Sequence, residues 1–230
     1  MIIDLHVHTK EVSGCGHVAV CDVIDRYHAK GYDGIVISNH LGIYTVGYEK
    51  AEKSWDEFID SYLAPVREGR EYAKKYGMKV FLGCELRFRC DKCNDFLLYG
   101  VTEEFLRNNP DIFEMNIAQF APLARENGIL IYQAHPFRDW MQVIPTRYLY
   151  GVEVNNGHPR QESRNDIARL WADIHGLSMI SGSDFHQEGD EAHGGIVTFG
   201  DVNDDAELYK VLVSGDYKLI CDKIGGLRRK

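Results

Sequence analysis

Short apolar runs rich in β-branched residues alternate with amphipathic helical stretches along this chain, and no other feature constrains its fold as much. MIIDLHVH opens as a strand, and VAVCDVIDRYHAKG follows as a helix closed by Gly31. DGIVISNH is the next strand, and KAEKSWDEFIDSYLAPVREGREYAKKYG a long helical region interrupted near Pro65. KVFLGCELRF and DFLLYGV read as strands, and DIFEMNIAQFAPLARENG as a helix. GILIYQAHP, GVEVNNG, LSMISGSDFH and GIVTFG are strands, separated by a helix around RQESRNDIARLWADIHG. DDAELYKVLVSG and YKLICD follow as helix and strand. Such repeated alternation implies a parallel sheet with helices outside it. No linker, composition shift or internal repeat divides residues 1–230, so one α/β domain is expected.

The strands end in residues that an apolar core rejects. In D-L-H-V-H, alternation places His6 and His8 on one face and Leu5 and Val7 on the other. S-N-H ends in His40, G-C-E in Glu85, and Q-A-H-P carries His135. G-S-D-F-H supplies Asp184 and His186, and Asp95 opens DFLLYGV. In a βα barrel the C-terminal strand ends converge on one face, which favours a closed or distorted barrel over an open doubly wound sheet. Taken singly, these residues have ordinary explanations: Glu85 can pair with Arg87 or Arg89, and His40 can be a satisfied core histidine. Together they form a density of imidazole and carboxylate that needs positive charge to stay buried. Metal ions supply it. Imidazole and carboxylate without thiolate suit Zn, Mn or Fe better than Mg or Ca. The candidates outnumber the ligands of one tetrahedral ion, so two or three divalent transition metals are expected.

The net charge of −9 argues against broad affinity for nucleic acid or an anionic membrane. A phosphorylated substrate must therefore be drawn in by a local cationic site. No apolar run reaches membrane-spanning length, and MIIDLHVHTK meets a charge too early for a leader. The six cysteines are scattered, which points to free thiols and a cytoplasmic location. Only Cys90 and Cys93 are spaced like zinc or redox ligands, and no second pair completes a site.

D-L-H-V-H-T, S-N-H, G-C-E, A-H-P and G-S-D-F-H, in that order from residue 4 to 186, resemble the polymerase and histidinol phosphatase (PHP) superfamily. The resemblance implies a distorted (β/α)7 TIM-like barrel with a metal cluster, usually trinuclear, that hydrolyses phosphoesters. It implies that His6 and His8 bind a first metal with Glu85 and Asp184. Glu85 would bridge to a second metal that also takes His135, and His40 and His186 would hold a third. Two positions depart from the pattern. Where relatives place an Asp or His soon after the first motif, this chain reads K-E-V-S-G-C-G-H, which makes His17 the candidate with Glu11 behind it. Asp95 stands where a histidine is common.

The expected reaction is hydrolysis of a small phosphorylated metabolite, nucleotide or short oligonucleotide by a metal-activated water. Glu85 marks where that water would sit, and Asp184 or His186 would move protons. Arg138 and Arg160 are candidates for the phosphate oxygens, His158 for substrate contact, and Glu153 for a hydrogen bond behind a metal ligand. His193 reads as an idle surface histidine. Two other classes compete: an amidohydrolase, which usually adds a bridging lysine, and a non-catalytic metal-binding accessory module, which tends to lose ligands.

Overall fold

The computed structural model describes residues 1–46, 54–91 and 93–221; the expected helix start at residues 50–53, Lys92 and Asp222 lie outside them. Ten strands form one sheet: β1 (Ile2–Val7), β2 (Gly34–Ile37), β3 (His40–Leu41), β4 (Lys79–Leu86), β5 (Phe96–Tyr99), β6 (Leu130–Gln133), β7 (Gly151–Asn156), β8 (Ser178–Gly182), β9 (Gly194–Thr198) and β10 (Tyr217–Cys221). The helices are α1 (Val20–Ala29), α2 (Trp55–Ala73), α3 (Glu103–Asn108), α4 (Ile117–Glu126), α5 (Asn165–His175) and α6 (Asp205–Ser214).

Neighbouring strands run in the order β10-β9-β1-β2-β4-β5-β6-β7-β8, with β3 beside β4. The chain just beyond β8 returns to β1, where the His8 N–H donates to the Phe185 carbonyl at 3.0 Å and the Phe185 N–H to the His6 carbonyl at 3.2 Å. That bridge nearly closes a barrel of seven strands, with β9 and β10 antiparallel beside β1. The expected barrel is present, but its sheet is not wholly parallel. β5 runs antiparallel to both β4 and β6. Residues 87–95 between β4 and β5 are too few for the crossover that a parallel pair requires. The reversal matters for the site: the start of β5 lies on the face where the parallel strands end.

Two apolar layers follow from strand alternation. Ile3, Leu5, Val36, Phe81, Leu97, Tyr99, Tyr132 and Ile180 fill the barrel interior, closed at one end by Leu208 and Leu212 of α6. Ile35, Ile37, Val80 and Leu82 face outward against α1 and α2. α1 buries Val20, Val23, Ile24 and Tyr27, the spacing of one helical face. Burying each such side chain contributes about 1.5–3 kcal/mol.

Several boundaries differ from expectation. α2 runs unbroken through Pro65, because the flanking Tyr62, Leu63 and Val66 are buried against the core and outweigh one missing backbone hydrogen bond. The expected helix over residues 111–128 splits into a short 3₁₀ turn and α4, which restarts at Asn116 with a capping box to Gln119. α3 was not anticipated; its signal was Thr102, whose hydroxyl accepts from the Phe105 N–H. α5 begins only at Asn165. No helix among the described residues is long and apolar enough to cross a membrane.

Candidate metal centre

β1 is irregular between Asp4 and Val7, and this irregularity creates the first half of the site. Ile3 and Leu5 point into the barrel core, whereas Val7 packs outward among the helices. Leu5 and Val7 therefore do not share a face, contrary to simple alternation. The irregularity switches the parity between Leu5 and Val7, and His6 and His8 both turn toward the cluster at the strand ends. Asp4 anchors this bend. Its buried carboxylate accepts from the N–H groups of His6 (3.1 Å) and Ser183 (3.0 Å), and from the Tyr27 hydroxyl (2.9 Å). Burial pushes the Asp4 carboxyl up to about 6. Sequence reasoning assigned Asp4 no role, although its place two residues before His6 was the available signal.

The two imidazoles are held in defined tautomers. His6 Nδ1–H donates to Glu153 Oε1 at 2.9 Å, the supporting contact expected of Glu153. Glu153 Oε2 meanwhile accepts from the His135 N–H and from Asn156 Nδ2, both at 2.9 Å. His8 Nδ1 lies 3.0 Å from Ser13 Oγ, whose own proton goes to Asn39 Oδ1, so His8 is the donor. With Nδ1 the donor in each neutral ring, both Nε2 atoms offer lone pairs, and they face each other at 3.0 Å. Glu85 Oε1 and Asp184 Oδ1 lie 3.4 and 3.3 Å from His6 Nε2; Glu85 Oε2 and Asp184 Oδ1 lie 3.3 and 3.4 Å from His8 Nε2. Four acceptors facing one another repel unless a cation lies among them. Ligands about 2.0–2.2 Å from one ion are themselves roughly 3–3.5 Å apart, which is the spacing found.

The cluster extends beyond these four residues. Ligand atoms within 4.8 Å of one another group His6, His8 and Glu85; His8, His40 and His186; and His40, Glu85 and Asp95. His135 Nε2 is 3.2 Å from Glu85 Oε1. His40 Nδ1 approaches Glu85 Oε2 at 2.9 Å but is not aligned for a hydrogen bond. Those two atoms and His135 Nδ1 are buried without a hydrogen-bond partner among the described residues. Buried atoms of this kind are costly unless something polar or charged meets them. His135 and Asp184 also hold left-handed backbone, with φ of 30° and 55°, a strain that concentrates at functional sites.

The electrostatics of the cluster favour positive charge. Burial pushes His6 down, but the carboxylates of Asp184, Glu153 and Glu85 outweigh it and hold the imidazole well above its ordinary range. His40 is likewise raised, burial being outweighed by Glu85 and the Cys15 thiol. Burial favours neutral Glu85 and Asp184, but His40 and His6 pull Glu85 well below the usual carboxylate range, and His6 and Arg138 do the same for Asp184. His186 goes the other way: burial and the neighbouring His8 push it down to about 3. Its Nδ1–H donates to the Asp184 carbonyl at 2.8 Å, which leaves Nε2 as a lone pair.

The alternative partners foreseen for Glu85 are taken elsewhere. Arg87 forms a two-pronged ion pair with Asp95, and Arg89 pairs with Glu114. Asp95, at the start of the reversed β5, thus faces the cluster and an arginine together. His17 is the outlier. It is exposed on the wall of the cleft, and its backbone N–H donates to the His186 carbonyl at 2.8 Å. Glu11 does not stand behind it, because Glu11 Oε1 accepts from the Val20 N–H at the start of α1. Cys90 and Cys93 are free thiols outside every candidate metal group among the described residues.

The cluster forms the floor of a 690 Å³ cleft that Arg138, His158 and Arg160 also line. Arg138 Nη2 donates to Asp184 Oδ2 and Asn156 Oδ1, both at 2.8 Å. Arg160 is bound to Asp190 through both terminal nitrogens, and its Nη2 lies 3.2 Å from His158 Nε2. His158 is buried, which lowers its pKa and keeps it neutral. His193 Nε2 lies 3.0 Å from the Gly189 carbonyl.

Gly182 shows how tightly β8 must approach β1. A Cβ there would lie 2.3 Å from His6 Cβ and 3.0 Å from Glu153 Oε1. Gly182→Ala is expected to destabilise the protein by about 1–3 kcal/mol through overpacking. Denaturant titration checks this, and an unchanged midpoint would show that β8 has room to yield.

The PHP domain model matches residues 4–217. The chain belongs to the PHP domain family. Solved structures share its fold. A two-domain protein from Bacteroides vulgatus, described as containing a predicted PHP-like metal-dependent phosphoesterase, aligns with a TM-score of 0.69 at 19% identity. That alignment covers 96% of this chain and 64% of the Bacteroides protein, so the PHP chain spans under two thirds of its length. A protein of Bifidobacterium adolescentis provisionally named a metal-dependent phosphoesterase aligns at 0.57 and 13% identity, covering 92% of this chain and 95% of that one. A Chromobacterium violaceum protein named an amidohydrolase, with bound sulfate and no metal, aligns at 0.58 and 15% identity, covering 96% and 98%. No curated protein matches the sequence.

Proposed function

We propose that this PHP protein is a metal-dependent phosphoesterase whose centre is built from His6, His8, His40, Glu85, Asp95, His135, Asp184 and His186. The observation that carries this reading is the pair of Nε2 lone pairs facing each other at 3.0 Å with two carboxylates beside them. Two or three divalent ions, of Zn, Mn or Fe type, suit this donor set. When bound, they would acidify water and offset the charge that develops on the phosphate oxygens.

The protein's own groups have distinct roles in this reading. Glu153 and Ser13 fix the His6 and His8 tautomers so that both Nε2 atoms point into the centre. Glu85 lies between the histidine pair and His135, where it can serve two ions. His186 is too weak a base to hold a proton near neutrality, which favours a ligand role for its Nε2 over proton transfer. Asp184 is held ionised by His6 and Arg138, which equally suits it to a ligand role. Arg138 stands closest to the cluster and would take phosphate oxygens, with Arg160 and His158 farther along the wall.

An amidohydrolase reading lacks support in the cleft. Glu85 occupies the central position, and no lysine lines the cleft among the described residues. The accessory-module reading is disfavoured by so complete a donor set.

Metal-loaded protein should hydrolyse phosphomonoesters and leave amide and lactam substrates untouched. Arg138→Ala is expected to lower kcat/KM by about 10- to 10²-fold, the loss of one charge-assisted contact of about 1.5–3 kcal/mol. Steady-state assays against both panels check this. Amide turnover without phosphate release would overturn the reading.

A further inference from the structure

The rim of the cleft carries an aromatic residue that packing does not explain. Trp140 lines the cleft, is 90% exposed, and has a φ of 74°. A bulky residue in left-handed backbone costs free energy, and an exposed indole recovers none of it by burial. Loose chain does not account for the exposure, because the loop is held on both sides. Arg138 Nη2 binds Asp184 and Asn156, while Arg164 donates to the Phe137 carbonyl at 2.7 Å and to Asp139 Oδ1 at 2.5 Å. Beyond Trp140, the Gln142 N–H donates to Asn94 Oδ1 at 3.0 Å. The same segment thus carries His135, Arg138 and Trp140, all of which line the cleft.

A second aromatic residue lines the cleft from another segment. Tyr44 is 46% exposed, its ring lies 5.5 Å from that of His40, and its hydroxyl accepts from Arg87 Nη1 at 3.1 Å. Gln161 and Gln187 also line the cleft and offer amide groups to a ring edge. We propose that Trp140 and Tyr44 select the substrate, binding the planar ring of a nucleotide-like phosphate ester whose phosphate lies over the histidine–carboxylate cluster. The proposal rests on the phosphoesterase reading and adds the substrate class. Stacking suits an acidic protein, because every nucleobase presents a π-face and the attraction needs no net charge. The cleft volume of 690 Å³ falls within the range of small-ligand sites.

The test compares adenosine 5′-monophosphate with ribose 5-phosphate on metal-loaded protein, by tryptophan fluorescence and calorimetry. The nucleotide should quench fluorescence and bind about 5- to 150-fold tighter, the range that one stacked base gives. Trp140→Ala should bring the ratio of the two affinities toward one and abolish the quench, and Trp140→Phe should restore most of the ratio. Equal binding of the two phosphates by the wild-type protein, or a ratio unchanged in Trp140→Ala, overturns the ring site alone. Failure of the wild-type protein to bind or hydrolyse either phosphate overturns the phosphoesterase reading and the ring site with it.

Discussion

Stripping the metals should lower the melting temperature by about 8–16 °C at pH 8, with full recovery on reloading. The figure follows from about 4 kcal/mol of stabilisation when free metal is 1,000 times its dissociation constant, at about 2–4 °C per kcal/mol for a chain of this size. Its pH dependence has a definite sign. In metal-free protein, neighbouring carboxylates raise the pKa of His6 and His40 above the unfolded value of 6.5. Their protonation therefore stabilises the metal-free fold fully below pH 6.5, and this is lost as pH rises through the folded values. Metal binding requires the same imidazoles without protons, so it strengthens over the same interval. The gap between loaded and metal-free protein should widen from pH 6 to pH 8. Calorimetry on verified metal-free and reloaded samples measures it directly. Equal melting temperatures across that range would show that the cluster is self-sufficient.

Glu85→Gln should be the most damaging substitution that preserves shape. Glu85 is buried and lies within 3.4 Å of nitrogen atoms of His6, His8, His40 and His135. Removing one partner of a buried charged set costs about 3–5 kcal/mol, which corresponds to roughly 10²- to 10⁴-fold if expressed in metal affinity. Hydrolysis should fall at least as far. His17→Ala is the informative contrast, because an exposed side chain on the cleft wall should leave metal content unchanged. Elemental analysis with isothermal titration of each variant decides both points. Loss of a metal equivalent in His17→Ala would mean that this residue swings inward when the site is loaded.

The alternation of strands and helices was legible because hydrophobic periodicity is local: each run reports its own buried face. The ordered His, Glu and Asp residues at strand ends were legible for a related reason, since a polar group in an apolar run needs a partner whatever the topology. Those two signals sufficed for a barrel and to nominate residues for its candidate centre, His17 among them although it is exposed on the cleft wall. Direction and register were not legible, because both are set by neighbours distant in sequence. Nothing in DFLLYGV says that β5 runs backward, yet that reversal brings Asp95 to the face where the other strands end. Nothing in D-L-H-V-H says that parity switches after Leu5, where Asp4 accepts from Ser183, 179 residues along the chain. Arg87 and Arg89 were equally plausible partners for Glu85 until the fold gave them to Asp95 and Glu114. The sequence by itself determined which residues are candidates to hold a cation. Only the tertiary structure decided which atoms face one another, because a side chain's direction is fixed by the strand across from it and not by the residue beside it.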